Sequence, residues 1–195
     1  MKSVSALENI KKKGLFGNYE GKDEKNLVKI SEIKNLLIVQ IAQYKKSNVS
    51  LKEVTIDGLN LSSESLRVTS NNRTRILWNG PNNWLLISEK KEVLQNIQNN
   101  FKESDFAVTN LSHSRAIIEL EGKNSLEVLK KGCPFNFNEI EKNICINSVF
   151  NGITITIDMI EESPIKIRLL ALRSFGESLY HSVTDACLEF GYKNI

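Results

Sequence analysis

Histidine is scarce in this chain: two in 195 residues, His113 and His181. General acid–base and nucleophilic sites need a titratable group held against a reacting atom. His113 lies in Asn110-Leu111-Ser112-His113-Ser114-Arg115, which offers a Ser/His pair in principle. No Gly-x-Ser-x-Gly elbow occurs, and the sequence places no acid to orient the ring, so His113 reads as a junction residue bonding the backbone. His181, beside Tyr180 on the polar side of the closing helix, reads as a surface residue. Cysteine is equally sparse. Cys133, Cys145 and Cys187 are widely spaced with no Cys-x-x-Cys pair, which argues against a zinc or iron–sulfur site built from this chain alone. Their apolar neighbours suit reduced core thiols in a cytosolic protein. Neither a Gly-x-Gly-x-x-Gly nor a Walker loop is present, so no flavin or nicotinamide site is encoded in a recognisable form. Nothing approaches the ~20 apolar residues of a membrane span.

Charge of one sign is also lacking. The net charge is +3, and the basic runs Lys11 to Lys13, Lys45-Lys46, Lys90-Lys91 and Lys130-Lys131 are short, with Glu89, Glu92, Glu127 and Glu139 close by. These are solvated faces and not a nucleic-acid footprint. Met1 to Phe16 is polar and Lys-rich with no apolar signal region, so a cytoplasmic location is expected and no membrane association. The Asn-x-Ser/Thr triplets at Asn48, Asn60, Asn72 and Asn110 then follow from an Asn-rich composition.

What is present is a soluble globular balance, 41% hydrophobic and 25% charged. Residues 1–30, with Leu7 and Ile10 on a short turn and Gly14, Gly17 and Gly21 around Phe16 and Tyr19, read as an N-terminal arm. Such an arm packs either on a partner or on its own domain. Residues 31–112 form a first half. Leu36 to Tyr44 is a strand, Ser47 to Asp57 a weak helix, and Arg73 to Trp78 and Trp84 to Ser88 are strands joined by Gly80-Pro81-Asn82-Asn83. Ser88 is expected to cap a helix bearing Val93, Leu94, Ile97 and Phe101, and Phe106 to Leu111 closes the unit. That order, β-α-β-β-α-β, is ferredoxin-like.

Residues 113–195 repeat much of it. Ala116, Ile118 and Leu120 alternate along a strand, and Asn124 with Glu127 opens a short helix in capping-box fashion. Gly132 and Pro134 stop that helix. Three strands follow, with Asn151-Gly152 as a hairpin turn between the first two. Ser174 with Glu177 reads as a capping box for a closing helix that carries Phe175, Leu179, Val183, Ala186 and Phe190 on one face. The fold expected is α+β, two ferredoxin-like halves in one compact domain overall. Trp78 and Trp84 flank the hairpin turn as either an aromatic clamp for a planar ligand or a cover for the core or a partner. Arg173 greets an anion, or pairs with a neighbouring carboxylate or a partner.

Three stretches resemble the gamma-subunit family of heterotetrameric sarcosine oxidase. Leu77-Trp78-Asn79-Gly80-Pro81-Asn82-Asn83-Trp84-Leu85-Leu86 is similar to that family's Leu-x-x-Gly-Pro-Asp-Glu-Trp-Leu hairpin, with Asn82 and Asn83 where acids are usual. Leu111-Ser112-His113-Ser114-Arg115, then Gly122, Leu129, Gly132, Cys133 and Pro134, is the second. Leu172-Arg173-Ser174-Phe175-Gly176-Glu177-Ser178-Leu179 with Phe190-Gly191 is the third, and Ser5-Ala6-Leu7 resembles the family's start. The second stretch also resembles the folate-binding T-protein of glycine cleavage, whose fold agrees with two ferredoxin-like halves. The resemblance implies an accessory chain with no catalytic, cofactor-binding or metal residues of its own. Its partners would be the alpha, beta and delta subunits. The complex oxidises sarcosine to glycine, passes the one-carbon unit to tetrahydrofolate and makes hydrogen peroxide. Flavins, NAD and tetrahydrofolate would sit on the partner subunits. Two other readings remain: a stand-alone folate-binding or one-carbon protein of the T-protein type, and an iron–sulfur assembly factor using Cys133. A thiol at a helix C-terminus is not activated, which disfavours the last.

Overall fold

The structure, a computed structural model, describes residues 4–195. In chain order its strands begin with β1 (Gly14–Phe16), β2 (Val28–Glu32), β3 (Leu37–Gln43), β4 (Thr55–Ile56), β5 (Leu59–Asn60), β6 (Val68–Ser70), β7 (Thr74–Gly80) and β8 (Asn83–Ser88). Helix α1 (Val93–Asn100), β9 (Phe106–Asn110), β10 (Arg115–Glu121) and α2 (Ser125–Lys130) follow. The chain ends with β11 (Cys145–Phe150), β12 (Ile153–Glu162), β13 (Ile165–Leu172), α3 (Gly176–Cys187) and β14 (Tyr192–Asn194). They fall into two units: residues 4–34, 113–142 and 146–195 make one, and residues 35–112 with 143–145 make the other. None of the described helices is long and apolar enough to cross a membrane.

The unit of residues 35–112 is a five-stranded sheet in the order β6-β7-β8-β3-β9, with every pairing antiparallel. Taking β3, β7, β8 and β9 as strands one to four, the order is 4-1-3-2, that of the ferredoxin-like fold. One expectation fails here. The helix read over Ser47 to Asp57 is a single 3-10 turn, Leu51–Glu53, followed by the β4–β5 hairpin. Asp57-Gly58 is the two-residue hairpin loop, with both residues at positive φ (52° and 78°). An Asp-Gly pair demands that turn, and it outweighs the helical tendency of the residues before it. Ser88 is no helix cap either. Its hydroxyl ends β8 by bonding Lys90 N and Thr74 Oγ1, and α1 starts later, at Val93. The core unites Val39, Ile41, Ile76, Trp84, Leu86, Ile97, Phe101 and Phe106. Each large side chain buried this way contributes roughly 1.5–3 kcal/mol.

Asp57 ties the small hairpin to that sheet. Its carboxylate accepts bonds from Lys90 Nζ at 2.6 Å, Thr74 Oγ1 at 2.6 Å and Asn71 Nδ2 at 3.1 Å. The Lys90 bond first, then Thr74, pulls its pKa from the usual 3.8 down to about 2. A carboxyl whose pKa falls on folding stabilises the fold above its unfolded value and loses that contribution as pH drops through the folded one. Urea denaturation midpoints should therefore fall between pH 4 and pH 2. Asp57→Asn keeps the tolerated left-handed backbone and should lose about 1.5–3 kcal/mol at neutral pH, from a charge-assisted bond. Its midpoint should also drop less on acidification. An equal acid dependence in wild type and variant would assign the effect to other carboxylates.

The other unit is a seven-stranded sheet, β1-β14-β2-β10-β13-β12-β11. The stretch read as an N-terminal arm supplies β1 and β2 to it, and residues 1–3 lie outside the described residues. β2 runs parallel to β14 and antiparallel to β10. Period-2 alternation assigns the faces. Ala116, Ile118 and Leu120 pair with Ala171, Leu169 and Ile167 across to β13 and face the helices. On the opposite face, Glu121 meets Lys29 and Lys166 (2.9 Å each) and Glu119 meets Arg168 (2.8 Å), so the register is written in charge as well.

Two glycines admit the N-terminal stretch. An ideal Cβ on Gly17 would stand 2.5 Å from Leu188 O, and one on Gly191 2.5 Å from Asn18 O. Backbone therefore passes directly over backbone, and Asn18 N donates to Leu188 O at 2.8 Å. The carbonyls left open at the end of α3 gain their donors this way.

Candidate partner interface

The residues weighed for catalysis lie apart. His113 is exposed in a turn, while Ser112 Oγ donates to Asn110 Oδ1 at 2.7 Å and accepts from Ile38 N at 3.0 Å, so the serine serves the backbone. His181 is exposed, its ring 6.2 Å from that of Tyr180. Trp78 and Trp84 are a directly opposed pair across β7 and β8. Trp84 is buried in the core with its indole N–H on Ser62 O at 2.7 Å, so its ring is not free to clamp a ligand. Cys133 is buried with its thiol donating to Ser148 Oγ at 3.2 Å, and burial pushes the Cys187 thiol up to about 12.

A different set converges in the unit containing β10 and β13. β13 ends at Leu172, which is directly opposite Arg115, the first residue of β10. The ladder runs one step further, with Arg173 N donating to Ser114 O at 2.9 Å. The chain then turns through a 3-10 turn, Arg173–Phe175, into α3. Here the expected capping box fails: the residue preceding α3 is Phe175, and Ser174 lies inside the turn. A 3-10 turn winds three residues per turn and not 3.6, so Phe175 leaves the stripe that Leu179, Val183 and Ala186 bury. Phe175 is 48% exposed and Leu172 47%.

The N-terminal segment closes the same corner. Glu32, at the end of β2, accepts from Ser5 Oγ at 2.5 Å and from Ala6 N at 3.1 Å. Leu7 is buried beneath it. The start of α3 approaches so closely that a Cβ on Gly176 would stand 3.0 Å from Ala116 Cβ and 3.2 Å from Ala6 Cβ. Val4, exposed, offers its carbonyl to the Arg173 guanidinium. Ser5-Ala6-Leu7, Ser114-Arg115 and Leu172 to Gly176, far apart in sequence, thus meet at one corner.

Arg173 spends a donor on Val4 O, and neither it nor Arg115 has a carboxylate partner among the described residues. Arg115 is half-buried, with Nη1 only 3.4 Å from its neighbour's carbonyl, Ser114 O. Burial alone lowers its pKa from the ordinary arginine value. Next to Val4 opens a cleft of about 450 Å³ lined by Leu7, Lys11, Lys13, Glu32 and Lys34 among others. Lys11 is lowered by burial, against the pull of Glu32. The corner thus sets the exposed apolar side chains Leu172 and Phe175 close in sequence to Arg173, with Arg115 across the ladder. Sequence reasoning singled out Arg173 but passed over Arg115 and the exposure of Leu172 and Phe175. The signal available was two apolar residues on either side of an arginine just past a strand.

A model of the sarcosine oxidase gamma subunit family matches residues 51–189. Sarcosine oxidase subunit gamma from Corynebacterium sp. (strain U-96) is 31% identical over 120 residues, 60% of this chain and 58% of that protein's length. The heterotetrameric sarcosine oxidase from Corynebacterium sp. U-96, solved with pyrrole 2-carboxylate, contains a chain that superposes with a TM-score of 0.78 at 25% identity, over 86% of this chain and 87% of that one. The glycine cleavage system aminomethyltransferase T from Bartonella henselae shares the fold, with a TM-score of 0.63 at 9% identity over 88% of this chain and 48% of that one.

Proposed function

Because this chain belongs to the sarcosine oxidase gamma subunit family, we propose that it is the accessory, non-catalytic subunit of a heterotetrameric sarcosine oxidase and docks on the larger subunits. The observation that carries this reading is the superposition on a chain of the Corynebacterium complex over most of both lengths. An exposed apolar corner on a chain that already buries its own cores supports it, since such patches mark binding surfaces. In this reading alpha, beta and delta subunits are the partners. They carry the flavins, the NAD and the tetrahydrofolate that takes the one-carbon unit as sarcosine becomes glycine. The complex works in the cytoplasm.

Co-expression of the tagged chain with the other three subunits from the same source tests the proposal. The expected product is a yellow complex, coloured by flavin, that oxidises sarcosine and releases hydrogen peroxide. A colourless tagged chain, with the flavin-bearing subunits left in the unbound fraction, would overturn the subunit role.

A further inference from the structure

We infer that the Leu172–Phe175 corner receives an apolar segment of a larger subunit that carries an aspartate or glutamate, and that this carboxylate pairs with the guanidinium of Arg115. The inference rests on the subunit reading above and adds the chemistry of the contact.

Three observations lead to it. First, Leu172 and Phe175 are both exposed within one short stretch at the end of β13, whose backbone is fixed by the hydrogen bonds of Arg173 to Ser114 O and Val4 O. A pre-ordered patch binds at a lower entropic cost, and its apolar side chains suit a protein segment better than a highly charged polymer. Second, Arg115 is half-buried beside Leu172 with no carboxylate partner among the described residues. A partly desolvated guanidinium gains most from a planar carboxylate that takes two parallel N–H bonds, and arginine is among the residues enriched at interface hot spots. Third, the surroundings reinforce the sign. Lys11, Lys13 and Lys34 line the adjoining cleft against Glu8 and Glu32, and both oxygens of Glu32 are engaged by Ser5 and Ala6. Three lysines against two glutamates leave the cleft a surplus cation, which favours an acidic segment over a basic one.

The test uses the complex. The tagged chain is titrated against the other three subunits assembled without it, and the dissociation constant is measured at low and moderate salt. Arg115→Glu should weaken binding on the order of 100-fold or more, Arg115→Lys by less, and the wild-type affinity should fall as salt rises. Folding is monitored by the thermal midpoint, and Arg115→Gln, which puts no carboxylate into the half-buried position, separates lost pairing from lost stability if Arg115→Glu lowers that midpoint. Lys102→Glu, an exposed reversal in the other unit, should bind as wild type does. A photo-crosslinking phenylalanine analogue at position 175 should label a peptide of a larger subunit that contains an aspartate or glutamate. Unchanged affinity of Arg115→Glu in a complex that still forms would overturn this inference and leave the subunit role standing. Labelling of a second copy of this chain, or of nucleic acid, would overturn the choice of occupant. Failure of the wild type to bind the other subunits would overturn the subunit role itself.

Discussion

Gly191→Ala is expected to lower stability by at least about 3 kcal/mol, enough to leave much of the chain unfolded or insoluble. Two terms add. At φ +74° an alanine enters the left-handed region, at a cost of about 1–2 kcal/mol. Its Cβ would also stand 2.5 Å from Asn18 O and 3.0 Å from Leu27 Cδ2. Neither side can yield cheaply. Gly191 N donates to Leu188 O at 3.3 Å, and Gly191 O accepts from Val28 N at 3.2 Å, the step that begins the parallel β2–β14 pairing. Relief therefore means parting β14 from β2, and with it β1, which pairs only with β14. Gly21→Ala is the control. Its φ is +71°, yet nothing lies within 4 Å of the added Cβ, so only the conformational term applies, about 1–2 kcal/mol. Urea denaturation of both variants separates strain from overlap, and equal losses would show that the close approach carries no energy.

Leu172→Asp is expected to leave the isolated chain folded and to abolish assembly with the larger subunits. Leu172 is 47% exposed at the end of β13, and a surface substitution there should change stability by less than about 1 kcal/mol. In a closed interface the same change sets a desolvated carboxylate among apolar groups. It also sets that carboxylate opposite Arg115, where it takes the guanidinium from the partner. The affinity loss should exceed about 100-fold, the range of a hot-spot residue. Leu170→Asp makes the contrast within one strand. Leu170 lies on the same face two residues earlier but is buried, so that variant should fail to fold. Assembly of Leu172→Asp with wild-type affinity would place the docking surface elsewhere.

Leu170 and Leu172 also show where a sequence stops being informative. Alternation puts both on one face of β13, and it says nothing of how far along that face the cover extends. The same limit applies to Phe175. Its spacing from Leu179 and Val183 fits a helical stripe, yet three residues of tighter winding turn it to solvent. The first residue of α3, Gly176, sits where a side chain would crowd Ala116 and Ala6, a constraint that the helical spacing does not reveal. The β4–β5 hairpin is the opposite case, since Asp57-Gly58 announced it and the pattern of apolar residues before it drew attention away.

Some of this protein was fixed by local chemistry alone. Asn151-Gly152, both at positive φ, joins β11 to β12 as that dipeptide demands, and the period-2 runs of β10, β12 and β13 define their own faces. In the 35–112 unit the β7–β8 hairpin and the α1 connection from β8 to β9 are short and local, whereas the long stretch between β3 and β7 is not. The motif stretches marked the family. Tertiary structure alone decided the remainder. β1, β2 and β14 are short, two of them three residues each, too brief to show a period, and they exist because sheet edges and two glycines accept them. The candidate interface joins segments more than a hundred residues apart. Its two informative properties, the exposure of Leu172 and Phe175 and the half-burial of Arg115 without a carboxylate partner among the described residues, depend on which surfaces the packed elements cover, and no single stretch of chain encodes that.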